Sequence, residues 1–268
     1  MRAIAFAGCA SRYSICFPST TSRACMYSRT LRLIHKPVIC SYSPRLCYNS
    51  LPEDGAAVAK NKHKLGVLVS GRGTNLQAIM DACASGRIGA EVAVVISDIA
   101  DAYGLQRARK AGIEAACIPW QKGRRKAWET EAVRVLKKAG CELVCLAGFM
   151  RVVGKTLMNA FPDRILNIHP ALLPSFPGLH AQEQAWEWGV KVSGCTVHFV
   201  TPDLDMGPII VQKAVRVEED DTADTLADRI LVEEHKAYAE AIDLVLSGRT
   251  VIEGRKVRIL GESGLKTS

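Results

Sequence analysis

From about residue 62 this sequence predicts an α/β domain, a mostly parallel twisted sheet with helices on both faces and antiparallel strands added in its C-terminal half. Three observations carry the prediction. Between Lys64 and Asn167, apolar runs of strand length alternate with stretches of helical period, the order that folds into parallel strands joined by helices. Beyond Asn167 the grammar shifts, and Gly194 to Val200 and Pro208 to Val217 read as alternating strands of an antiparallel pair. The turn Ser70-Gly71-Arg72-Gly73-Thr74-Asn75 lies between the first strand and the first helix, where backbone amides and the helix dipole can hold a phosphate. In such a sheet the site lies at the carboxyl ends of the strands.

The elements follow in order. Leu65 to Val69 is an apolar run of strand length, and Asn75 to Ala84 has helical period. Val92 to Ile96 is a strand, Tyr103 to Ala111 a helix and Ala115 to Ile118 a strand; a long charged helix runs from about Arg124 to Ala139. Leu143 to Ala147 is the fourth strand, and a short helix near Lys155 to Ala160 leads to a fifth that runs into Asn167 and ends at Pro170, which has no N–H for a ladder. A helix, Ala181 to Trp188, precedes the alternating strands, and Trp186 and Trp188 read as packing residues. The last helix opens at Asp221, with Asp224 three residues on as a cap-like start, continues to about Leu246 and is ended by Gly248. With no internal repeat, residues 62–268 are expected to form one domain.

Residues 1–61 read differently. The net charge of +8 invites a nucleic-acid reading, but up to Pro52 there are seven basic residues and no acid, which leaves 28 basic against 27 acidic residues in the remainder. The excess belongs to the leader, so no nucleic-acid partner is expected. Rich in Arg and Ser and free of acid up to Pro52, the leader has the composition of an organellar transit peptide followed by a disordered linker. Val38-Ile39-Cys40-Ser41 resembles a plastid processing site, and the Arg density suits a mitochondrion as the alternative address. No apolar run reaches the length of a membrane span, so a soluble protein is expected. Five of the ten cysteines lie in the leader; Cys83, Cys117, Cys141, Cys145 and Cys195 lack the close pairing of zinc or redox sites and are expected to be buried thiols.

The richest chemistry lies in Leu166-Asn167-Ile168-His169-Pro170. Side chains alternate along a strand, so Asn167 and His169 share a face, while Ile165 and Ile168 can pack with the sheet. An amide donor beside a titratable ring is suited to stabilising an oxyanion and moving a proton. The turn Thr201-Pro202-Asp203-Leu204-Asp205-Met206-Gly207-Pro208 could bring a carboxylate to that ring. Acyl transfer is the reaction class this predicts.

Three other features have more than one reading. The glycine turn is no Walker loop, and Leu76 stands where the third glycine of a dinucleotide fingerprint would be, although Asp98 ends the second strand where a ribose-binding acid would be sought. Phosphate of a mononucleotide fits the turn better. Glu234 falls in the middle of the stripe formed by Leu226, Ile230, Leu231, Tyr238, Ala241 and Val245. Either that stripe is exposed at this turn, or the carboxylate meets a donor such as a substrate amine or hydroxyl. His169, His180, His198 and Asp205 share no metal-ligand spacing, so no metal is expected; His198 reads as a core group or as a support for the site.

Together these residues resemble the glycinamide ribonucleotide formyltransferases, folate-dependent enzymes of purine synthesis, from about Lys64 to Val245. The resemblance rests on Ser70 to Ile79, on Leu146-Ala147-Gly148-Phe149-Met150-Arg151, on Asn167 to Pro170 with Pro177-Gly178-Leu179-His180, and on Gly194 to Val200 leading to Asp205. With its leader the chain looks like a plant organellar form. The resemblance implies a Rossmann-like formyltransferase fold, a catalytic trio of Asn167, His169 and Asp205, 10-formyltetrahydrofolate as formyl donor and 5-phosphoribosylglycinamide as acceptor, with no metal. It further implies that Gly73, Thr74 and Asn75 hold the ribonucleotide phosphate, with Leu231, Val232, Glu233 and Glu234 at its ribose or amine end. Folate contacts are implied for Arg125, Met150, Arg151, Val152 and Val153, for Asn167, and for Thr201, Pro202, Asp203, Leu204 and Asp205. Arg72, Val153 and Pro202 depart from the family pattern. Three competing readings remain: a formyltetrahydrofolate hydrolase, which shares the trio; a methionyl-tRNA formyltransferase, which usually carries a second basic domain; and a dinucleotide-binding oxidoreductase or nucleotide-binding module, which would use only the glycine turn.

Overall fold

The computed structural model describes residues 62–261, and the expected transit peptide and linker lie outside the described residues. The elements are β1 (His63–Val69), α1 (Thr74–Ala84), β2 (Ala90–Ser97), α2 (Tyr103–Lys110), β3 (Glu114–Cys117), α3 (Arg125–Lys138), β4 (Leu143–Leu146), α4 (Lys155–Ala160), β5 (Ile165–His169), α5 (Ala181–Trp188), β6 (Val192–Phe199), β7 (Ile209–Arg216), α6 (Ala223–Leu246), β8 (Thr250–Glu253) and β9 (Lys256–Ile259). The strands form one sheet in the order β3-β2-β1-β4-β5-β6-β7-β9-β8. From β3 to β5 all neighbours are parallel, and β6 runs antiparallel to both β5 and β7.

The strand order reverses direction between β1 and β4, and in such sheets the connections leave a crevice at that switch point. Alternation along β1 divides the core into two layers. Leu65, Val67 and Val69 pack with residues of α1, α2 and α6, whereas Leu68 packs with residues of α3 and α4. On β5, Leu166 and Ile168 join the α1 and α6 layer. Ile165 joins the other layer, so it shares a face with Asn167 and His169, apolar at the base of the strand and polar at its mouth.

Three expectations need correction. The cap of α6 is Thr222, whose hydroxyl accepts from Thr225 N while the Thr225 hydroxyl accepts from Thr222 N. Asp221 is unavailable for capping, because Arg229 donates to both its oxygens and Glu218 N donates to one of them. Trp186 and Trp188 are exposed, since α5 buries Ala181 and Ala185 instead; Trp186 Nε1 donates to the Asp221 carbonyl at 2.6 Å. The hairpin of β8 and β9, turning at Gly254 and Arg255, was not anticipated. Cys83, Cys141, Cys145 and Cys195 are buried and Cys117 is half-buried. No helix among the described residues is long and apolar enough to cross a membrane.

Candidate active site

Two chambers open at the carboxyl ends of the parallel strands and share Gly148, Met150, Ile168, Pro170 and Gln182. The first, about 350 Å³, lies over the turn between β1 and α1. Gly73 begins α1 at φ +70°, and a Cβ there would lie 2.7 Å from the Gly104 Cα, so both backbone conformation and close approach require glycine. The turn is held from α2: Gly104 N donates to Gly71 O at 3.0 Å, and Arg107 Nε to Arg72 O at 2.9 Å. The first-turn amides of α1, which have no intrahelical acceptor, are thereby presented at the chamber.

Glu234 forms part of the opposite wall and is buried, so the exposed-stripe reading fails. Its Oε2 accepts from Asn75 Nδ2 at 2.6 Å, and the donor that the sequence seemed to require of a substrate comes first from α1. Burial pushes the Glu234 carboxyl above the ordinary carboxylate range, and the Asn75 amide offsets part of that rise. Asn75 Oδ1 is buried without a partner, an acceptor available to a ligand N–H or O–H. One turn further along α6, the buried Tyr238 hydroxyl is shared between the carbonyls of Leu146 and Leu166 at 3.0 and 3.1 Å. That contact ties the helix to the ends of β4 and β5.

The second chamber, about 480 Å³, contains the expected trio. His169 Nδ1 lies 3.5 Å from Asp205 Oδ2, and Asn167 Nδ2 lies 3.5 Å from Asp205 Oδ1. His169 Nε2 is 2.7 Å from the Phe176 carbonyl, so both ring nitrogens face oxygen acceptors and a doubly protonated ring satisfies both. Asp205 sits at φ +52°, a left-handed conformation uncommon for a residue with a side chain, and Gly178 N donates to its Oδ2 at 2.8 Å. That backbone geometry turns the carboxylate back toward the strand.

His198 completes the group, and the antiparallel register explains how, because it pairs directly with Asn167 across β5 and β6. Its Nδ1 donates to the Phe199 carbonyl at 2.9 Å, which leaves Nε2 as acceptor for Asn167 Nδ2 at 3.2 Å. Burial lowers the His198 pKa, consistent with this neutral tautomer. A Cβ on Gly207 would collide with the Phe199 carbonyl, so glycine is required where the loop passes behind His198. The sequence left His198 open as a core group or a support for the site, and the cross-strand register makes it the support.

The remaining expected residues divide. Met150, Arg151, Val152 and Val153 line the second chamber together with Thr201, Pro202, Asp203, Leu204 and Asp205. Leu231 and Glu234 line the first, along with Thr74, Gly73 and Asn75. Val232 and Glu233 line neither: helical period turns them away, Val232 to solvent and Glu233 to an ion pair with Lys236 at 2.6 Å. Arg125 also lies off both chambers, alongside Gly154 just beyond the Val153 segment. Asp98 is buried, its oxygens taken by Ser70 and Arg151, which removes the ribose acid of the dinucleotide reading. Among the described residues no cluster of three or more His, Cys, Asp and Glu is arranged to hold a metal.

The switch-point crevice thus carries a glycine turn with free helix amides on one side and an amide, an imidazole and a carboxylate on the other. The formyl transferase family model matches residues 63–242, and the chain belongs to that family. It is 43% identical over 184 residues to the phosphoribosylglycinamide formyltransferase of Escherichia coli K12, covering 68% of this chain and 87% of that protein. To the chloroplastic phosphoribosylglycinamide formyltransferase of Arabidopsis thaliana it is 38% identical over 205 residues, 73% of this chain and 70% of that one. The crystal structure of glycinamide ribonucleotide transformylase 1 from Symbiobacterium toebii superposes with a TM-score of 0.73 at 58% identity, covering 75% of this chain and 95% of that chain. The chain is also 44% identical over 192 residues, 71% of its length, to the trifunctional purine biosynthetic protein adenosine-3 of Gallus gallus, of which it spans only 19%.

Proposed function

We propose that this protein transfers the formyl group of 10-formyltetrahydrofolate to the amine of 5-phosphoribosylglycinamide, a step of de novo purine synthesis. The observation that carries the reading is the convergence of Asn167, His169 and Asp205 in a chamber sharing a wall with the glycine turn. The ribonucleotide phosphate docks on Gly73, Thr74 and Asn75 at the α1 N-terminus, and Glu234 with Asn75 Oδ1 receives the ribose or amine end. The folate occupies the second chamber against Met150 to Val153 and the loop Thr201 to Asp205.

The amine attacks the formyl carbon; a new C–N bond forms, negative charge gathers on the formyl oxygen, and the bond to the folate nitrogen then breaks. Asn167 Nδ2 turns the N–H that faces Asp205 only loosely, at 3.5 Å, toward that oxygen. His169, protonated between the Phe176 carbonyl and Asp205, stabilises the tetrahedral species and helps protonate the departing nitrogen. Asp205 holds the ring and positions a water that relays the proton from the amine toward the departing nitrogen. No step requires a metal.

Residues 1–61 act as a transit peptide and linker that direct the protein to the plastid stroma. The basic composition, free of acid up to Pro52, and the chloroplastic Arabidopsis relative support that address, and nothing in the comparisons supports the mitochondrion. The partners are the two small molecules, with no nucleic acid or membrane. The test is release of 10-formylfolate's formyl group by the leaderless protein with and without 5-phosphoribosylglycinamide. Release that depends on the amine supports transfer; equal release without it assigns the protein to formyl-folate hydrolysis and overturns the reading.

A further inference from the structure

Asp98 is the acid that the proposed reaction leaves without a task. It ends β2 directly behind the crevice, lines neither chamber, and its side chain is fully buried. A buried carboxylate persists only when its oxygens are engaged, and the residues engaging this one are informative. Ser70, which lines the ribonucleotide chamber, donates its hydroxyl to Asp98 Oδ1 at 2.7 Å and accepts from Met150 N at 2.9 Å. Arg151, which lines the folate chamber, donates Nε to Asp98 Oδ2 at 2.7 Å. The Arg151 guanidinium lies 5.3 Å over the Trp120 ring, and Trp120 N donates to the Asp98 carbonyl at 3.2 Å.

We infer that Asp98 is a positioning residue that pins the folate-contacting segment at Met150 and Arg151 to the ribonucleotide turn at Ser70, so that the two substrate chambers keep a fixed relation. The inference rests on the reading of residues 150–153 as folate contacts. The segment follows β4 as loop: Phe149 and Val153 anchor its two ends in the core, whereas Met150 and Val152 between them are exposed, so the clasp acts on the stretch that apolar packing leaves free. A charge-assisted bond from a buried acid fixes the Arg151 fork, and the Ser70 hydroxyl fixes the adjacent backbone amide. The clasp leaves the reacting atoms untouched, so its loss should appear in folate affinity more than in chemistry.

Two readouts test this on Asp98→Asn, whose amide can still accept from Ser70 but cannot pair with Arg151. In the ligand-free protein, hydrogen exchange of amides 148–153 should quicken about tenfold while the central strands stay protected, as expected for loss of one charged hydrogen bond. In turnover, the KM for 10-formylfolate should rise about tenfold with kcat changed less than about twofold. In an Arg151→Ala background the same change should add less than about twofold to that KM, because the partner is already gone. Unmoved exchange, an unmoved folate KM, or an undiminished effect in the Arg151→Ala background each overturns the inference. Should Asp98→Asn not fold, Ser70→Ala severs the clasp from its other end, and the exchange readout decides in the same sense. Exchange is measured without substrate, so a failure of formyl transfer itself would leave that arm standing.

Discussion

The two chambers share a wall but are built by different means. The chamber proposed for the ribonucleotide is made of element ends, with the first turn of α1 and the inner face of α6, and its polar groups include the α1 backbone amides, Asn75 and the buried acid Glu234. The chamber proposed for the folate is made mostly of loops, residues 149–153, 178–180 and 200–205, and presents exposed apolar side chains such as Met150, Val152, Leu179 and Leu204. A compact anion is best held by fixed dipoles, and a broad, flat ring by apolar surface with a few backbone contacts. The proposed catalytic trio belongs to the loop side, yet two of its members stand on β5, the rigid strand nearest the shared wall.

The sharpest way to break this division is at Asp205. Asp205→Asn should lower turnover about 10³-fold or more while folate binding persists, measured as single-turnover rate against equilibrium binding. Asn167→Ala follows, with a loss of about 10²-fold in kcat and an unchanged melting transition, as for removal of one oxyanion donor. Gly73→Ala attacks the other chamber: the left-handed backbone and the 2.7 Å approach to Gly104 should together cost about 2 kcal/mol in urea unfolding, with a raised KM for the ribonucleotide and little change for folate.

The smallest effect concerns Glu234. Its native pKa is raised from the ordinary value of 4.5, so the folded protein holds this proton more tightly than the unfolded chain. The stability it contributes is complete below pH 4.5 and is lost as pH rises through the native value. Glu234→Gln should flatten that decline while keeping an acceptor for Asn75, and an unchanged pH profile of urea stability would count against burial as the cause.

Much of this was legible in the sequence because its strong signals are local. Parallel strands buried on both faces read as continuous apolar runs, and β1, β2 and β4 are such runs. Asn167 and His169 declared themselves by period two and a terminating proline. What escaped depends on pairing across the fold. Asp221 resembles a helix cap until Arg229, eight residues on, occupies it. His198, left open between core group and support, is decided by the register opposite Asn167, and Asp98 is engaged by two loops far away in sequence. The β8–β9 hairpin is short and half-exposed, which weakens its alternation, and Gly254 was its one clear mark.

The shared hydroxyl of Tyr238 acts as an index pin for the longest helix. It sets α6 against the strand ends at a single axial position, and a slip of one turn would carry Glu234 about 5.4 Å along the helix and away from Asn75. The proposed recognition of one substrate is thus gauged by a phenol that lines neither chamber.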